Sequence, residues 1–387
     1  MSKRIEIRIS VLVGLVLGVS AGAFAWGYGY YAGHLTRVDK QLDAEGLSQV
    51  YRLLQQKFDG RVDAGKLRDG AKLGLAAATG DPYTVYLSAQ SAKAMNDDLN
   101  GTLSGIGAEV GIKNQKLVII SPIDGAPAAK AGLRAGDQVI KINDEDPSSL
   151  TLDQAVQKIR GPKGSQVKLT VIRGTGTPFD ITIARDQITV PSVKWSLKPG
   201  NIGYIQITQF GPDTAKLVDQ AASELSGQGA QQFILDLRND PGGYLDAAVK
   251  VASEWVGQGR VVEERRGATI VQQYNASGNG KLIGDKTVVL INEGSASASE
   301  IVAGALQDHH AATLVGEKSF GKGSVQEIEQ LSGGAELKVT VAHWYTPNGK
   351  NINKAGIQPD VTVKLDQSDY NASRDPQLEK ALSSLSQ

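Results

Sequence analysis

The first apolar block of the chain is continuous rather than periodic. From Ile9 to Ala32 no charged residue interrupts a run of Leu, Val, Ala and Gly that ends in Trp26, Tyr28, Tyr30 and Tyr31. Such a run is long enough to cross a bilayer, with the basic Lys3, Arg4 and Arg8 held inside and the aromatic cluster at the far interface. It predicts an N-terminal membrane anchor over residues 1–34, with the rest of the chain in the periplasm or outside the cell. Ala21-Gly-Ala23 resembles a signal-cleavage site, so secretion after cleavage is the alternative; the apolar run continues well past it. Apolar residues then return at helical spacing (Val38, Leu42, Leu47, Val50, Leu53, Leu54) and again from Ala64 to Ala78, until Thr79-Gly-Asp-Pro stops them. This predicts a helical segment within residues 35–97.

From about residue 98 the period changes to two. Lys116–Ser121, Gln138–Asn143, Gln166–Ile172 and Phe179–Ala184 read as strands, with one amphipathic helix over Leu152–Ile159. Past residue 186 strands and helices alternate. Ile202–Ile207, Phe233–Arg238, Thr287–Asn292, Leu314–Glu317 and Lys338–Trp344 are expected strands. Thr214–Leu225, Leu245–Trp255, Glu300–Leu306 and a closing segment from Asp375 are expected helices. The predicted class is a multidomain α/β protein: helical segment, β-rich module over 98–185, and α/β core over 186–387.

Composition narrows the chemistry. The 387 residues carry 41 basic and 41 acidic side chains, so there is no general attraction to nucleic acid. The absence of cysteine excludes disulfides, thiol catalysis and thiolate metal sites. His34, His309, His310 and His343 show no H-x-x-x-H pattern, so no metal site and no cofactor is expected.

The reactive-looking stretch is Asn292–Gln326. Ser295, Ser297 and Ser299 alternate with alanines in a loop that opens a helix, and Phe320-Gly-Lys-Gly-Ser-Val-Gln326 follows. A nucleophilic serine needs a base, and a lysine serves when burial lowers its pKa. Backbone N–H groups at a helix start suit an oxyanion. Alternation alone does not choose among the three serines. Lys318 adjoins Glu317, whereas Lys322 lies between glycines that let the backbone bury it. Alternation places Lys322, Ser324 and Gln326 on one strand face, where a neutral glutamine can accept from the amine without raising its pKa.

Asn-x-Gly-Ser-Ala-Ser-Ala-Ser-Glu300, Gly-x-x-x-Phe-Gly-Lys-Gly-x-x-Gln326 and Asp236-Leu-Arg-x-x-Pro-Gly-Gly243 together closely resemble the carboxyl-terminal processing proteases, serine peptidases with a Ser-Lys dyad. The resemblance implies Ser297 as nucleophile, Lys322 as general base and Gln326 as the residue orienting it. It also implies backbone donors at Ala298 and at Gly242 or Gly243, on a crotonase-like core. Residues 98–185, through Pro122-Ile-Asp-Gly-Ala-Pro-Ala-Ala-Lys-Ala-Gly-Leu-Arg-Ala-Gly-Asp137, resemble a PDZ domain. Its carboxylate loop would be Ser104, Gly105, Ile106 and Gly107, and its ligand a nonpolar C-terminal tail. Arg160, ending the groove helix, is a candidate link between groove and protease; a solvated charge favoured by the helix dipole is the alternative.

The expected partners are polypeptides with nonpolar C-termini, the membrane, a homodimer or higher oligomer, and an adaptor protein. The rival functions are a catalytically silent, membrane-anchored PDZ scaffold and a crotonase-type acyl-CoA enzyme.

Overall fold

The computed structural model describes residues 43–386 apart from 114–115, 124, 151, 190, 367–368, 370–371 and 373. The expected anchor over 1–34 lies outside these residues. Among the described residues no helix is long and apolar enough to cross a membrane. The chain divides at Leu75/Ala76. In the first unit, helix α1 (Ala44–Lys57) starts at Asp43, whose carboxylate accepts from Gly46 N–H, and α2 (Ala64–Ala77) runs through the boundary. Leu47, Val50 and Leu53, apolar at helical spacing in the sequence, are exposed, as is Leu73.

The second unit begins with strand β1 (Val85–Leu87) and helix α3 (Ala89–Leu99), capped by Ser88 Oγ accepting from Ser91 N–H. Helix α3 mixes small and polar residues, and its periodicity does not announce it. Strand β2 (Thr102–Gly105) enters the β-rich module and pairs antiparallel with β8 (Asp186–Thr189), which leaves it. Between them β3 (Ala108–Lys113), β4 (Lys116–Pro122), β5 (Gln138–Ile142), β6 (Gln166–Ile172) and β7 (Phe179–Ala184) form one antiparallel sheet in sequence order. Helices α4 (Pro127–Lys130) and α5 (Leu152–Ile159) accompany it. Ile119, Ile142, Ala155, Val167 and Leu169 make a separate core there, in keeping with the period-two pattern.

The remaining elements are β9 (Val193–Lys198), β10 (Ile202–Ile207), α6 (Thr214–Gly227), β11 (Gln232–Asp236), α7 (Leu245–Ala252), β12 (Arg260–Arg266), β13 (Thr269–Asn275), β14 (Lys286–Ile291), α8 (Ala298–Asp308), β15 (Thr313–Gly316), β16 (Ser324–Gln330), β17 (Glu336–Tyr345), β18 (Val361–Thr362) and α9 (Pro376–Leu385). One sheet runs β18-β15-β14-β11-β10-β9, parallel except for β9. Its central strands are buried on both faces, as continuous apolar runs such as Phe233-Ile-Leu require. One face packs on α6, α7 and α8 through Val218, Leu225, Val251, Ile301 and Val302. The other packs on α9 through Ala381 and Leu385. A second, antiparallel sheet contains β1, β17, β12 and β13, with β16 also on β17. Helix α7 ends at Ala252, short of the expected Trp255. Arg238 forks between Asp236 (2.6 Å) and Asp375 (2.8 Å) and so ties β11 to the start of α9.

Candidate active site

Three loops leave the carboxyl ends of adjacent parallel strands, where open α/β sheets place their ligands. They are Leu237–Gly243 after β11, Asn292–Ser297 after β14 and Glu317–Gly323 after β15. The first two are locked together. Asn239 N–H donates to Asn292 Oδ1 and Asn292 Nδ2 to Asn239 Oδ1, both at 2.9 Å, while Ala296 N–H donates to Asp240 O at 2.9 Å. The three serines differ in what holds them. Ser295 Oγ donates to Leu237 O and accepts from Asn292 N–H, and Ser299 Oγ donates to Asp240 O; both side chains are fully buried. Ser297 alone of the three is partly exposed, at the start of α8, with φ 54° and ψ −112°. A non-glycine residue at such dihedrals persists only where its surroundings impose them.

Glu300, to which the motifs assign no role, fastens the Ser297 backbone. Its Oε2 accepts from Ser297 N–H and from Lys322 N–H, each at 2.9 Å. Its Oε1 accepts from Gly321 N–H at 2.7 Å and Ser319 Oγ at 2.6 Å. Four donors on a fully buried side chain call for an ionised carboxylate; burial pushes its pKa up, and the donors oppose that. The sequence carried a signal for it: Ser-x-x-Glu at a helix start is the capping-box pattern, whose glutamate reaches back to the N-cap N–H. Glu300 thus holds the serine loop and the lysine loop in one frame.

Lys322 is half-buried, and desolvation lowers its pKa while the Glu300 charge partly restores it. Its Nζ stands 5.7 Å from the centre of the Tyr83 ring. Lys318, by contrast, is exposed. Lys322, Ser324 and Gln326 line one cavity with Ser297, across a register shift between Val325 and Gln326. Gln326 Nε2 donates to Tyr83 O at 3.2 Å. Among the described residues, hydrogen bonds join neither Ser297 Oγ to Lys322 Nζ nor Lys322 Nζ to Gln326.

The cavity, about 790 Å3, also takes in Gly242, Gly243 and Ala298. Gly242 has φ +98°, and a Cβ there would lie 2.7 Å from Ala296 O, 2.8 Å from Ser297 Cβ and 2.9 Å from Ala298 N. Only glycine leaves room beside Ser297 and the first N–H of α8. The Gly242 N–H itself is already donated to Asp240 Oδ1 at 2.8 Å, so of the two glycine donors expected, Gly243 is the one free of that bond. Asp240 is fully buried with its Oδ2 unpartnered, and desolvation pushes its pKa up to about 7. His309 lies at the far end of α8 on Arg260 O, and neither it nor His310 lines the cavity.

Helix α3 forms the outer wall through Ala94, Met95, Asp98 and Leu99, and Gln157 of α5 reaches the rim. Here the β-rich module meets the core. Arg160, one residue past α5, reaches Asp98 of α3 at 3.4 Å, and its Cγ lies 3.8 Å from the Cβ position of Gly105. Ser104 and Gly105 end β2, Ile106 is buried, and Gly107 has φ +71° with Ala126 packed where a Cβ would be. Helix α5 packs against β3. Among the described residues no cluster of three or more His, Asp or Glu side chains could hold a metal ion.

The comparisons with known proteins agree with this layout. Residues 201–363 match the model of peptidase family S41, and residues 95–172 match that of the PDZ domain. The carboxy-terminal processing protease CtpA of Bacillus subtilis is 35% identical over 368 residues, covering 94% of this chain and 78% of that protein. A carboxy-terminal-processing protease of Bartonella bacilliformis is 42% identical over 332 residues, covering 84% and 75%. The solved structure of a photosystem II D1 C-terminal processing protease is 31% identical, with a TM-score of 0.54 over 81% of this chain and 86% of that one. The chain therefore belongs to the S41 peptidases, as a serine protease of the carboxy-terminal processing type with a PDZ domain.

Proposed function

We propose that Ser297 is the nucleophile and Lys322 the general base of peptide-bond hydrolysis near nonpolar C-terminal tails. The observation that carries this is the sorting of the serines: Ser295 and Ser299 are consumed by buried backbone bonds, while Ser297 shares a cavity with a desolvated lysine. Neutral Lys322 takes the Ser297 proton as the oxygen attacks the carbonyl. The Ala298 and Gly243 N–H groups receive the oxyanion, and Lys322 then protonates the leaving amine. Water deprotonated by the same lysine releases the acyl group. Gln326 turns from Tyr83 O to the amine once substrate seats. A serine-directed covalent probe tests the assignment: labelling of the wild type that is lost in Ser297→Ala and kept in Ser299→Ala supports it, and labelling of Ser297→Ala refutes it.

The PDZ groove would take the substrate tail, its carboxylate on the N–H groups of Ser104–Gly107. Arg160, placed between that loop and Asp98 on the cavity wall, would couple occupancy to cleavage. If Arg160→Ala leaves peptide-stimulated cleavage unchanged, the coupling is absent. The apolar run of residues 9–32 supports anchoring at the membrane with the protease outside the cytoplasm. The exposed leucines of α1 and α2 would serve an oligomer or an adaptor protein.

A further inference from the structure

A second lysine faces the same cavity. Lys338 lies on β17, opposite Ile328 of β16 and Val85 of β1, and lines the cavity with Ser297 and Lys322. It is half-buried, and among the described residues its ammonium has neither a hydrogen bond nor an ion pair. Burial lowers its pKa first, the charge of Lys322 lowers it further, and Asp81 opposes both. Asp81 does not supply a partner: its oxygens receive Thr84 Oγ1 at 2.7 Å and Tyr83 N–H at 3.2 Å. Asp98 is the one carboxylate among the cavity-lining residues, and it faces Arg160. Ile328, directly opposite on β16, offers no acceptor for the amine, and Gln326, two positions along that strand, gives its amide N–H to Tyr83 O. An ammonium held partly out of water without a counter-charge is costly, and pairing with an anion relieves that cost.

We propose that Lys338 is a specificity-determining residue that receives a carboxylate of the bound polypeptide, a short way along the chain from the scissile bond. This rests on the reading of the cavity as the peptide-cleaving site. The carboxylate comes either from an acidic side chain or from the C-terminus of a short tail, and both present the same group to Nζ. Lysine suits this better than arginine would, because it meets the carboxylate as a compact charge on a flexible stem and tolerates either source.

The test uses the full chain and quenched fluorogenic peptides built on one uncharged parent with a nonpolar C-terminus. One series places Glu or Gln at each position flanking the scissile bond; a second pairs the free acid with the amide. The wild type is expected to favour the carboxylate member of a pair, at one position, by about tenfold or more in kcat/KM. In Lys338→Met that ratio falls to about one. Lys338→Arg restores part of it, and Lys338→Glu inverts it. The side-chain series and the acid/amide series tell the two sources apart; PDZ capture also favours the free acid, so only the part lost in Lys338→Met belongs to Lys338. The same ratios are read as binding affinities on Ser297→Ala protein, which needs no turnover. A wild type that cleaves the parent but shows equal Glu and Gln rates everywhere, with no Lys338-dependent acid preference, overturns the inference and leaves the cleavage reading intact. A ratio that survives in Lys338→Met overturns it as well. If the parent is not cleaved at all, the cleavage reading fails, and the binding ratios still decide whether Lys338 selects a carboxylate.

Discussion

Replacing Glu300 by glutamine is the smallest change that should take the site apart. The carboxylate accepts from Ser297 N–H, Lys322 N–H, Gly321 N–H and Ser319 Oγ. A carboxamide keeps one oxygen and presents an NH2 group to the other two donors, so two charge-assisted bonds are lost. At roughly 1.5–3 kcal/mol for each bond to a charged group, the loss is about 3–6 kcal/mol. A domain of ordinary stability survives that, with a lowered Tm. The lost bonds either hold Ser297 in its strained conformation or hold Lys322 beside it, so kcat/KM should fall by about 100-fold or more. The pH profile adds a signature that simple loosening would not give. The Glu300 charge raises the Lys322 pKa against desolvation. Neutralising it lets that pKa fall, so the acid limb of the residual activity should move to lower pH. The assay is steady-state cleavage of an unstructured substrate across pH, with circular dichroism checking the fold. A Glu300→Gln enzyme within threefold of wild type, with an unmoved acid limb, would refute the reasoning.

Other expectations follow from the same geometry. Asp240 is raised from 3.8 to about 7 by burial, so the native state binds more protons than the unfolded chain between those values. Stability from this group is therefore lost as pH rises through that window, by on the order of 4 kcal/mol, and Asp240→Asn should remove that slope in urea midpoints taken at pH 5 and pH 8. Gly242→Ala would drive a Cβ to within 3 Å of Ala296 O, Ser297 Cβ and Ala298 N at a positive φ. It should abolish both cleavage and labelling by a serine probe, with about 1–3 kcal/mol lost from stability. Ser295→Ala leaves Leu237 O and Asn292 N–H without their buried partner and should cost about 1–3 kcal/mol in chemical denaturation. Ser297→Ala should cost no comparable stability, because its hydroxyl is not tied into that buried network.

How much of this was legible beforehand depended on whether a segment's chemistry follows a short period. The strands Phe233–Asp236 and Thr287–Ile291 are buried on both faces, so unbroken apolar runs announced them. The module strands β4 to β7 alternate and were equally plain. Strand β12 was hidden because Arg260-Val-Val-Glu-Glu-Arg-Arg looks solvated; Glu263 is in fact fully buried between Arg260 and Arg265. Helix α3 was hidden for a different reason. It buries Ala92 and little else, yet it walls the cavity, a role set by long-range packing and not by its own periodicity. The serine and lysine loops could be found from their strings. Their joint dependence on Glu300, and the engagement of Gly242 N–H by Asp240, arise between loops far apart in sequence and no local pattern encodes them.

Desolvation lowers the Lys322 pKa, and the role proposed for its neutral amine is to deprotonate Ser297. The most direct measurement is the pH dependence of kcat/KM for wild type, Ser297→Ala and Lys322→Ala on one unstructured protein with a nonpolar C-terminus. The expected result is a wild-type rate that rises through a single group titrating below the ordinary lysine range, and no cleavage by either variant at any pH. Cleavage by Lys322→Ala with an unchanged profile, or a profile governed by a histidine and abolished in His309→Ala or His310→Ala, would contradict it.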